Sequence, residues 1–281
     1  MTVREALREG TKALRYFSIP SAELDAELLL IDALRITKED LLRHPDRPVP
    51  SKRLGVYQEH ILRRGRHEPI ATIVGTKEFF GRAFLVTRHV LVPRPESELL
   101  VEEMMNQLPA DRPVTIADIG TGSGCLAVSL AAELPHARIV ATDISPDALR
   151  VARKNAERHH VTPRIRFLLG DLLRPVARFR LDGIVVNLPY VPEEEIRANP
   201  DVQFEPIIAL RGRLGPERTL AAFLAQWFER NQRPITLIEI HPNQTQQILR
   251  EKEKISINVR IKKDLAGRDR LAILTSDRST H

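Results

Sequence analysis

A glycine-rich turn that directly follows a short apolar run constrains the fold of this chain more than any other feature. The run at 114–119 has the length of a buried strand, and glycines follow it at positions 120, 122 and 124. Glycine tolerates the positive φ angles of a tight turn and lets the backbone approach a ligand closely. A helical pattern then begins near Cys125. The sequence therefore predicts a strand, a ligand-binding turn and a helix, in that order.

Apolar runs alternate with helical patterns through the rest of the chain, which predicts a parallel sheet with helices on both faces. The short connection at 264–267 leaves no room for a crossover helix, so the last two strands are expected to pair antiparallel. The predicted fold is thus a Rossmann-like α/β domain with a seven-stranded, mostly parallel sheet. The predicted strands are 114–119, 138–143, 165–169, 183–187, 235–240, 257–261 and 270–274.

The start of the chain has a different pattern. Apolar residues at helical spacing predict a small helical bundle, which is too small to hold an active site of its own and is expected to recognise a partner. Beyond it, strands at 70–74 and 79–86 with turns at Gly75 and Gly81 indicate a linker hairpin. The predicted division is a helical recognition domain at 1–66, the linker at 67–90 and a catalytic domain at 91–281.

The composition is typical of a globular protein, with 42% hydrophobic and 28% charged residues. No apolar stretch approaches the roughly 20 residues of a membrane span and the start lacks a signal-peptide core, so a cytoplasmic protein without membrane contact is expected. The single cysteine, Cys125, excludes an internal disulfide and a multi-cysteine zinc site, and no metal is expected. The net charge of +6 is scattered, so direct nucleic-acid binding is not expected, although the charge does not oppose it.

Two aspartates follow the next two predicted strands. A carboxylate at Asp143 can accept both hydrogens of a ribose diol, and Asp171 is placed to face an adenine amino group, with Leu172 packing on the ring. The spacing from Gly122 to Asp143 also fits the loose dinucleotide fingerprint of dehydrogenases. We rank a dehydrogenase second, because it gives no reason for Asp171 or for the tetrapeptide at 187–190.

That tetrapeptide, Asn187-Leu188-Pro189-Tyr190, ends the fourth predicted strand and indicates the chemistry. A planar amino or amide nitrogen is a poor nucleophile because its lone pair is delocalised. The Asn187 side-chain oxygen and the Leu188 carbonyl can accept hydrogen bonds from its two N–H groups, and Tyr190 offers a face on which it can lie. Together with the glycine turn, the pattern predicts methyl transfer from S-adenosylmethionine, in which the protein mainly positions the nitrogen and excludes water. The residues expected to hold this cofactor are Asp118, Gly120, Thr121, Gly122, Ser123, Gly124, Asp143, Asp171, Leu172 and Asn187.

Three stretches together resemble the release-factor glutamine methyltransferases, the family called HemK or PrmC. They are residues 68–98, which contain the loop Pro93-Arg94-Pro95-Glu96, residues 117–124, and the tetrapeptide together with residues 201–206. The glycine stretch is shared by very many methyltransferases, whereas the Pro-Arg-Pro-Glu loop is particular to this family. The resemblance covers the whole length, including the helical start, and implies that the α/β domain is a class I methyltransferase domain.

The resemblance implies that the acceptor is the glutamine of the Gly-Gly-Gln motif of class I peptide chain release factors. The glutamine amide would lie against the tetrapeptide, and Arg94 and Glu96 would border the site. Taken by itself, the loop that carries these two charges fits a rigid crossover held by a surface ion pair equally well. The implied catalytic residues are Asn187, Leu188, Pro189 and Tyr190, and the implied substrate contacts add Arg94, Glu96 and Phe204, the last in a lid segment or a packed turn.

The sequence departs from the family pattern at several positions. Leu188 stands where a second proline is usual, residues 212–216 differ from the usual Gly-Gly-x-Asp-Gly, and His241 replaces a glycine; we interpret His241 as the start of a helix. Asn-Leu-Pro-Tyr also occurs in ribosomal RNA adenine dimethyltransferases. A nucleic-acid adenine therefore remains the main alternative acceptor, beside a glutamine of a ribosomal protein. An inactive cofactor-binding module is a third class.

Overall fold

The computed structural model describes residues 1–254 and 257–276 of the chain. The chain divides into two units, one of Met1–Thr76 with Asn199–Phe204, the other of Lys77–Ala198 with Glu205–His281. The division after Thr76 lies inside the predicted linker. The predicted domain at 91–281 includes residues 255–256 and 277–281, which lie outside the described part of the chain.

The first unit consists of short helices, some of which begin at side-chain caps. Thr2 Oγ1 accepts a hydrogen bond from the Glu5 N–H at 3.2 Å, while the Glu5 carboxylate accepts one from the Thr2 N–H at 2.8 Å. A second capping box starts the third helix. The apolar core of this unit includes the fully buried Leu14, Leu29 and Leu30. The helices are α1 (Val3–Tyr16), α2 (Ala22–Leu34), α3 (Lys38–Arg43), α4 (Ser51–Gly65) and α5 (Ile70–Val74), and a 3₁₀ turn lies at Pro200–Phe204.

The predicted strand at 70–74 is wrong, because this segment forms helix α5. Pro69 precedes the helix and Gly75, with φ of 83°, ends it. A five-residue apolar run fits either a strand or a helix, and here the burial of Ile73 in the helical core decides. The hairpin is correspondingly shorter, with β1 (Thr76–Phe79) and β2 (Arg82–Leu85) joined at Gly81, where a turn was predicted.

A buried guanidinium joins the segment at 199–204 to the helices of the first unit. The Arg64 side chain is 6% exposed, and its Nε donates to Asp25 at 2.6 Å while another nitrogen donates to Asp201 at 2.9 Å. His67 Nδ1 lies 3.0 Å from the second oxygen of Asp201. These contacts bind the segment at 199–204 to α2 and α4 of the same unit.

The second unit contains the predicted seven-stranded sheet, and every strand predicted for this sheet is present with ends that differ by a few residues. The strands are β3 (Val114–Ile119), β4 (Ala137–Asp143), β5 (Ile165–Leu169), β6 (Gly183–Asn187), β7 (Ile235–Glu239), β8 (Ile257–Lys263) and β9 (Asp269–Ser276). Their order is β5-β4-β3-β6-β7-β9-β8. Strands β3 to β7 are parallel, and β9 pairs antiparallel with both β7 and β8, as predicted.

Helices cover both faces of the sheet. They are α6 (Glu98–Gln107), α7 (Cys125–Glu133), α8 (Pro146–Arg158), α9 (Glu193–Ala198), α10 (Ile207–Arg211), α11 (Pro216–Phe228) and α12 (Thr245–Lys254). Residues of α6, α7 and α8 share one apolar core, and α11 and α12 contribute to the other. The buried Trp227 donates from Nε1 to Thr236 Oγ1 at 2.8 Å. Among the described helices, none is long and apolar enough to cross a membrane.

The winding direction of the sheet reverses between β3 and β6. From β3 the chain adds β4 and β5 on one side, and then returns to place β6 and β7 on the other. In open α/β sheets such a reversal opens a crevice at the carboxyl ends of the strands, where ligands bind. The fold therefore places the glycine turn after β3 beside the tetrapeptide after β6.

We predict that Gly10→Ala destabilises the helical unit. A Cβ at Gly10 would lie 1.9 Å from the Tyr57 hydroxyl oxygen, and overpacking of this kind costs about 1–3 kcal/mol. Tyr57→Phe is expected to be neutral or stabilising, because the hydroxyl is buried without a hydrogen-bond partner in the described chain. It should also relieve part of the Gly10→Ala cost. Urea unfolding of both single variants and the double variant measures this, and unchanged stability of Gly10→Ala would contradict it.

Candidate active site

A cavity of about 480 Å³ lies at the carboxyl ends of the parallel strands of the second unit. Residues from the glycine turn, the ends of β4 and β6 and the loop before α6 all line it. Of the residues predicted to hold the cofactor, those that line the cavity are Gly120, Thr121, Gly122, Ser123, Asp143, Asp171, Leu172 and Asn187. Asp118 and Gly124 are not among the described lining residues.

The glycine turn needs backbone angles that other residues rarely adopt. Gly120, Gly122 and Gly124 have φ of 74°, 54° and 81°. A Cβ at Gly124 would lie 3.0 Å from the Ala152 Cβ, so this glycine allows close packing on α8. At Gly120 and Gly122 the nearest atoms to such a Cβ lie 3.7 and 4.0 Å away. The turn is therefore packed on one side and open towards the cavity on the other.

Asp118 shapes the glycine turn from behind and does not face the cavity. Its side chain is fully buried, and Oδ2 accepts hydrogen bonds from Thr121 Oγ1 at 2.6 Å and from the Ala127 N–H at 3.2 Å. Oδ1 has no hydrogen-bond partner in the described chain. Burial raises the pKa of Asp118 to about 7. The predicted cofactor contact of Asp118 remains a prediction, and its visible contacts organise the turn.

Asp143 lines the cavity at the end of β4 and is held by backbone donors. Oδ2 accepts from the Gly122 N–H at 2.9 Å and Oδ1 accepts from the Ser145 N–H at 2.8 Å. Burial raises the pKa of this carboxyl. Each oxygen keeps a second lone pair, so the carboxylate can still accept hydrogen bonds from a bound diol. Asp171 and Leu172 line the cavity further along, the former exposed and the latter half-buried with φ of 50°.

The tetrapeptide after β6 contributes three of its residues to the cavity: Asn187, Leu188 and Pro189. Asn187 Nδ2 donates to Ser97 Oγ at 3.0 Å, and the described chain offers no hydrogen bond to Oδ1. Tyr190 is not a described lining residue, and its hydroxyl donates to Glu239. The expectation that the acceptor amide lies on the Tyr190 ring therefore remains a prediction, because Tyr190 is not among the described lining residues.

The sequence reasoning noted Ser97 only as a departure from a threonine that is common in the family, and it predicted neither Ser97 nor Glu239 as a site residue. Ser97 is buried and lines the cavity, and its hydroxyl donates to Glu239 Oε2 at 2.5 Å. Glu239 is 2% exposed and ends β7, the strand next to β6. The signal that could have found Glu239 is an acidic residue that closes an apolar strand run, the same signal that singled out Asp143.

The loop at 93–96 does not hold an ion pair between its own two charges. Arg94 lines the cavity and pairs with Glu205, whose other oxygen accepts from the Val92 N–H at 2.9 Å. Glu96 is exposed and is not among the described lining residues. The alternative of a crossover held by a surface ion pair is therefore wrong in detail, because the partner of Arg94 is the buried Glu205.

Phe204 belongs to the helical unit and is 39% exposed as a residue. Its predicted substrate contact remains a prediction. The loop that differs from the family pattern lines the cavity through Gly212, Arg213 and Leu214. This altered loop thus forms part of the cavity wall.

Two further residues have structural roles. His241 precedes a 3₁₀ turn and its Nδ1 accepts from the Asn243 N–H at 3.3 Å, as expected for a residue that starts a helix. Burial raises the pKa of the Cys125 thiol to about 12, so it is a poor nucleophile at neutral pH. In the described part of the chain, no group of three or more His, Cys, Asp or Glu side chains could hold a metal ion.

Two family models match the chain. The PrmC N-terminal domain matches residues 5–75, and the methyltransferase small domain matches residues 95–204. The chain is 37% identical to the release factor glutamine methyltransferase of Moorella thermoacetica over 276 residues, which are 96% of this chain and 97% of that protein. It is 40% identical to the protein of the same name from Koribacter versatilis over 215 residues, which are 75% of this chain and 76% of that protein.

Solved structures support the fold. The hMettl16 catalytic domain in complex with MAT2A 3′UTR hairpin 1 superposes with a TM-score of 0.61 at 14% identity, covering 91% of this chain and 92% of that one. The same domain in complex with hairpin 6 gives a TM-score of 0.61 at 18% identity, covering 75% and 82%. At these identities the likeness shows a methyltransferase fold and carries no information about the acceptor. The dehydrogenase alternative is set aside, because the matched domain is a methyltransferase domain.

We predict that Gly124→Ala weakens S-adenosylmethionine binding about tenfold, because a non-glycine residue at this φ costs about 1–2 kcal/mol and the new Cβ would press on Ala152. Gly267→Ala is the matched control. Gly267 has φ of 76° and open space around its Cβ position, in the connection between β8 and β9. Both variants should lose stability, but only Gly124→Ala should lose affinity in isothermal titration calorimetry. Equal affinities would show that the turn does not hold the cofactor.

Proposed function

Since this chain belongs to the release factor glutamine methyltransferases, we propose that it methylates the glutamine amide of the Gly-Gly-Gln motif of class I peptide chain release factors. The chain is an S-adenosylmethionine-dependent protein glutamine N-methyltransferase. The similar proteins are release factor glutamine methyltransferases, which supports a release factor as the acceptor. The family resemblance supports the glutamine of the Gly-Gly-Gln motif as the methylated residue.

One observation carries the proposal for the site: the tetrapeptide and the glycine turn border the same cavity. A Cβ at Gly120 would lie 3.7 Å from the Asn187 carbonyl oxygen, so the two segments are in close contact. Because Asn187 Nδ2 donates to Ser97, the oxygen Oδ1 is the atom that remains for an acceptor amide. A planar NH₂ group held there would lie next to the cofactor turn.

The residues of the turn fit S-adenosylmethionine. The glycine backbone is open towards the cavity, and the Asp143 carboxylate lines it with free lone pairs. Asp143 would hold the ribose, and Asp171 with Leu172 would hold the adenine. When bound, the cofactor supplies an electrophilic methyl group on a sulfonium.

The protein's own task is to hold the amide nitrogen in line with that methyl group. Asn187 Oδ1 and the Leu188 carbonyl would accept hydrogen bonds from its two N–H groups, which fixes the plane of the amide. Leu188 is 7% exposed and, with Pro189, forms an apolar wall that limits access of water. Transfer would form the N–C bond while the bond between the methyl carbon and the sulfonium sulfur breaks, with its electron pair kept by sulfur. One N–H proton of the amide is then released to solvent. Arg94, held by Glu205, would border the acceptor.

Contacts of Glu96, Tyr190 and Phe204 with the acceptor are part of the same proposal. The helical unit is proposed to recognise the release factor, which is consistent with its match to the PrmC N-terminal domain. We also propose a cytoplasmic location, because the proposed acceptors, the peptide chain release factors, work on ribosomes in the cytoplasm.

The acceptor is tested with labelled cofactor. We expect the purified full chain to transfer label from S-adenosylmethionine to a class I release factor, and not to a release factor whose Gly-Gly-Gln glutamine is replaced by alanine. Ribosomal RNA and total ribosomal protein are the competing acceptors. Label that appears only in RNA or in a ribosomal protein would reverse the assignment. Cofactor binding without transfer to any of them would identify an inactive module.

The role of Asn187 is tested by replacement. We predict that Asn187→Ala lowers kcat by about 10²-fold or more, since a loss of positioning of this kind has effects of that size, and leaves cofactor affinity nearly unchanged. Asn106→Ala, at an exposed position of α6, is the matched control and should keep wild-type kcat. Steady-state methylation with a release factor measures both. Normal turnover of Asn187→Ala would remove Asn187 from the site.

A further inference from the structure

Glu239 is a buried carboxylate that touches two elements of the active site at once. Strand register places it directly beside Asn187 on the neighbouring strand. It is 2% exposed, and each of its oxygens accepts a hydrogen bond from a different hydroxyl group. Ser97 Oγ donates to Oε2 at 2.5 Å, and the Tyr190 hydroxyl donates to Oε1. Neither Ser97 nor Tyr190 is a neighbour of Glu239 in the sequence.

The polarity of this network is fixed by the carboxylate. Burial raises the pKa of Glu239, while the hydrogen bonds from Ser97 and Tyr190 and the charge of Arg270 act to lower it. In its ionised form the carboxylate only accepts hydrogen bonds, so Ser97 then directs its single proton towards Glu239. The Ser97 oxygen can then only accept from Asn187, and it does so from Nδ2 at 3.0 Å. Because Nδ2 is committed to Ser97, Oδ1 of the same amide must point the other way. A buried charge thus selects one of the two flipped orientations of the Asn187 amide.

The second hydrogen bond fixes the aromatic residue of the tetrapeptide. The Tyr190 hydroxyl donates to Glu239, which orients the ring towards the end of β7. Burial, and secondly the charge of Glu239, raise the pKa of the Tyr190 hydroxyl, so it remains protonated and acts as a donor. Both ends of the tetrapeptide are therefore tied to the same carboxylate.

We propose that Glu239 is a positioning residue for methyl transfer, a role that rests on the function proposed above. Through Ser97 it turns Asn187 Oδ1 towards the acceptor nitrogen, and through Tyr190 it fixes the aromatic ring. A chain of hydrogen bonds that ends on a charge also polarises its members, so Asn187 Oδ1 becomes the anchor of a connected network. Glu239 itself is not among the described residues that line the cavity.

The test uses Glu239→Gln, Ser97→Ala and Ser97→Thr in the full chain. Glutamine keeps the shape of Glu239 but must present its NH₂ to one of the two hydroxyls, which reverses the polarity of the network. We expect kcat to fall roughly ten- to hundredfold in Glu239→Gln and in Ser97→Ala, as for a misplacement of about 1 Å. KM for the release factor and the cofactor Kd should stay within about twofold of wild type. Ser97→Thr keeps the hydroxyl and should retain activity.

Two readouts separate positioning from a merely structural role. The double variant Ser97→Ala with Glu239→Gln should lose no more activity than the worse single variant, because both act through one chain. Glu103→Gln is the matched control: Glu103 is 5% exposed and accepts hydrogen bonds from Arg260 and Lys262, away from the cavity lining. It should lose stability but keep kcat. Wild-type kcat in Glu239→Gln, an equal loss in Glu103→Gln, or full additivity in the double variant would overturn the inference.

A readout without turnover keeps the inference separate from the proposed function. Hydrogen exchange of the Asn187 side-chain NH₂, followed by nuclear magnetic resonance, should be slow in the wild type and fast in Ser97→Ala and Glu239→Gln. If the wild type methylates no release factor, the proposed function fails, yet this pattern would still establish the orientation of Asn187. If exchange is equally fast in all three proteins, Glu239 does not position Asn187, whatever the acceptor is.

Discussion

The site depends on the edge where the parallel strands end. Asp143 on β4, Asn187 on β6 and Glu239 on β7 all stand at the carboxyl ends of their strands, and Asp118 lies one residue before the end of β3. Parallel pairing brings these ends to one side of the sheet, and the reversal of winding between β3 and β6 separates the loops enough to open a cavity. The sheet topology alone therefore places a polar residue at the end of an apolar strand either in the cavity lining or directly behind it.

Buried carboxylates hold the loops around this edge. Asp118 binds the glycine turn, Glu239 binds the tetrapeptide and Ser97, and Glu205 binds the loop that carries Arg94. A carboxylate that is buried without donors is strongly disfavoured, so each of these groups fixes the donors that surround it. These carboxylates and their hydrogen bonds therefore position the loops that form the cavity walls, at the edge of the apolar core.

Some elements and site residues could be predicted from the sequence and others could not. The seven strands were predictable because their apolar runs are separated by helical patterns and clear turns, and the antiparallel end followed from a connection too short for a helix. Residues 70–74 were predicted as a strand and form α5, since five apolar residues have no decisive period and their packing partners lie elsewhere in the chain. Asp143 and Asn187 could be singled out by their positions. Glu205 could not, because its contact with Arg94 joins segments that are distant in sequence.

The sequence by itself determined the order of strands and helices, the glycine turn and the tetrapeptide, because these depend on local periodicity and on which residues tolerate particular backbone angles. Tertiary structure alone decided that Asp118 lies behind the turn, that Arg94 pairs with Glu205, and that Ser97 and Glu239 support Asn187. The physical reason is that a buried polar group is stabilised by whichever donors the fold brings to it. Those donors come from strands and loops that meet only after the sheet has formed.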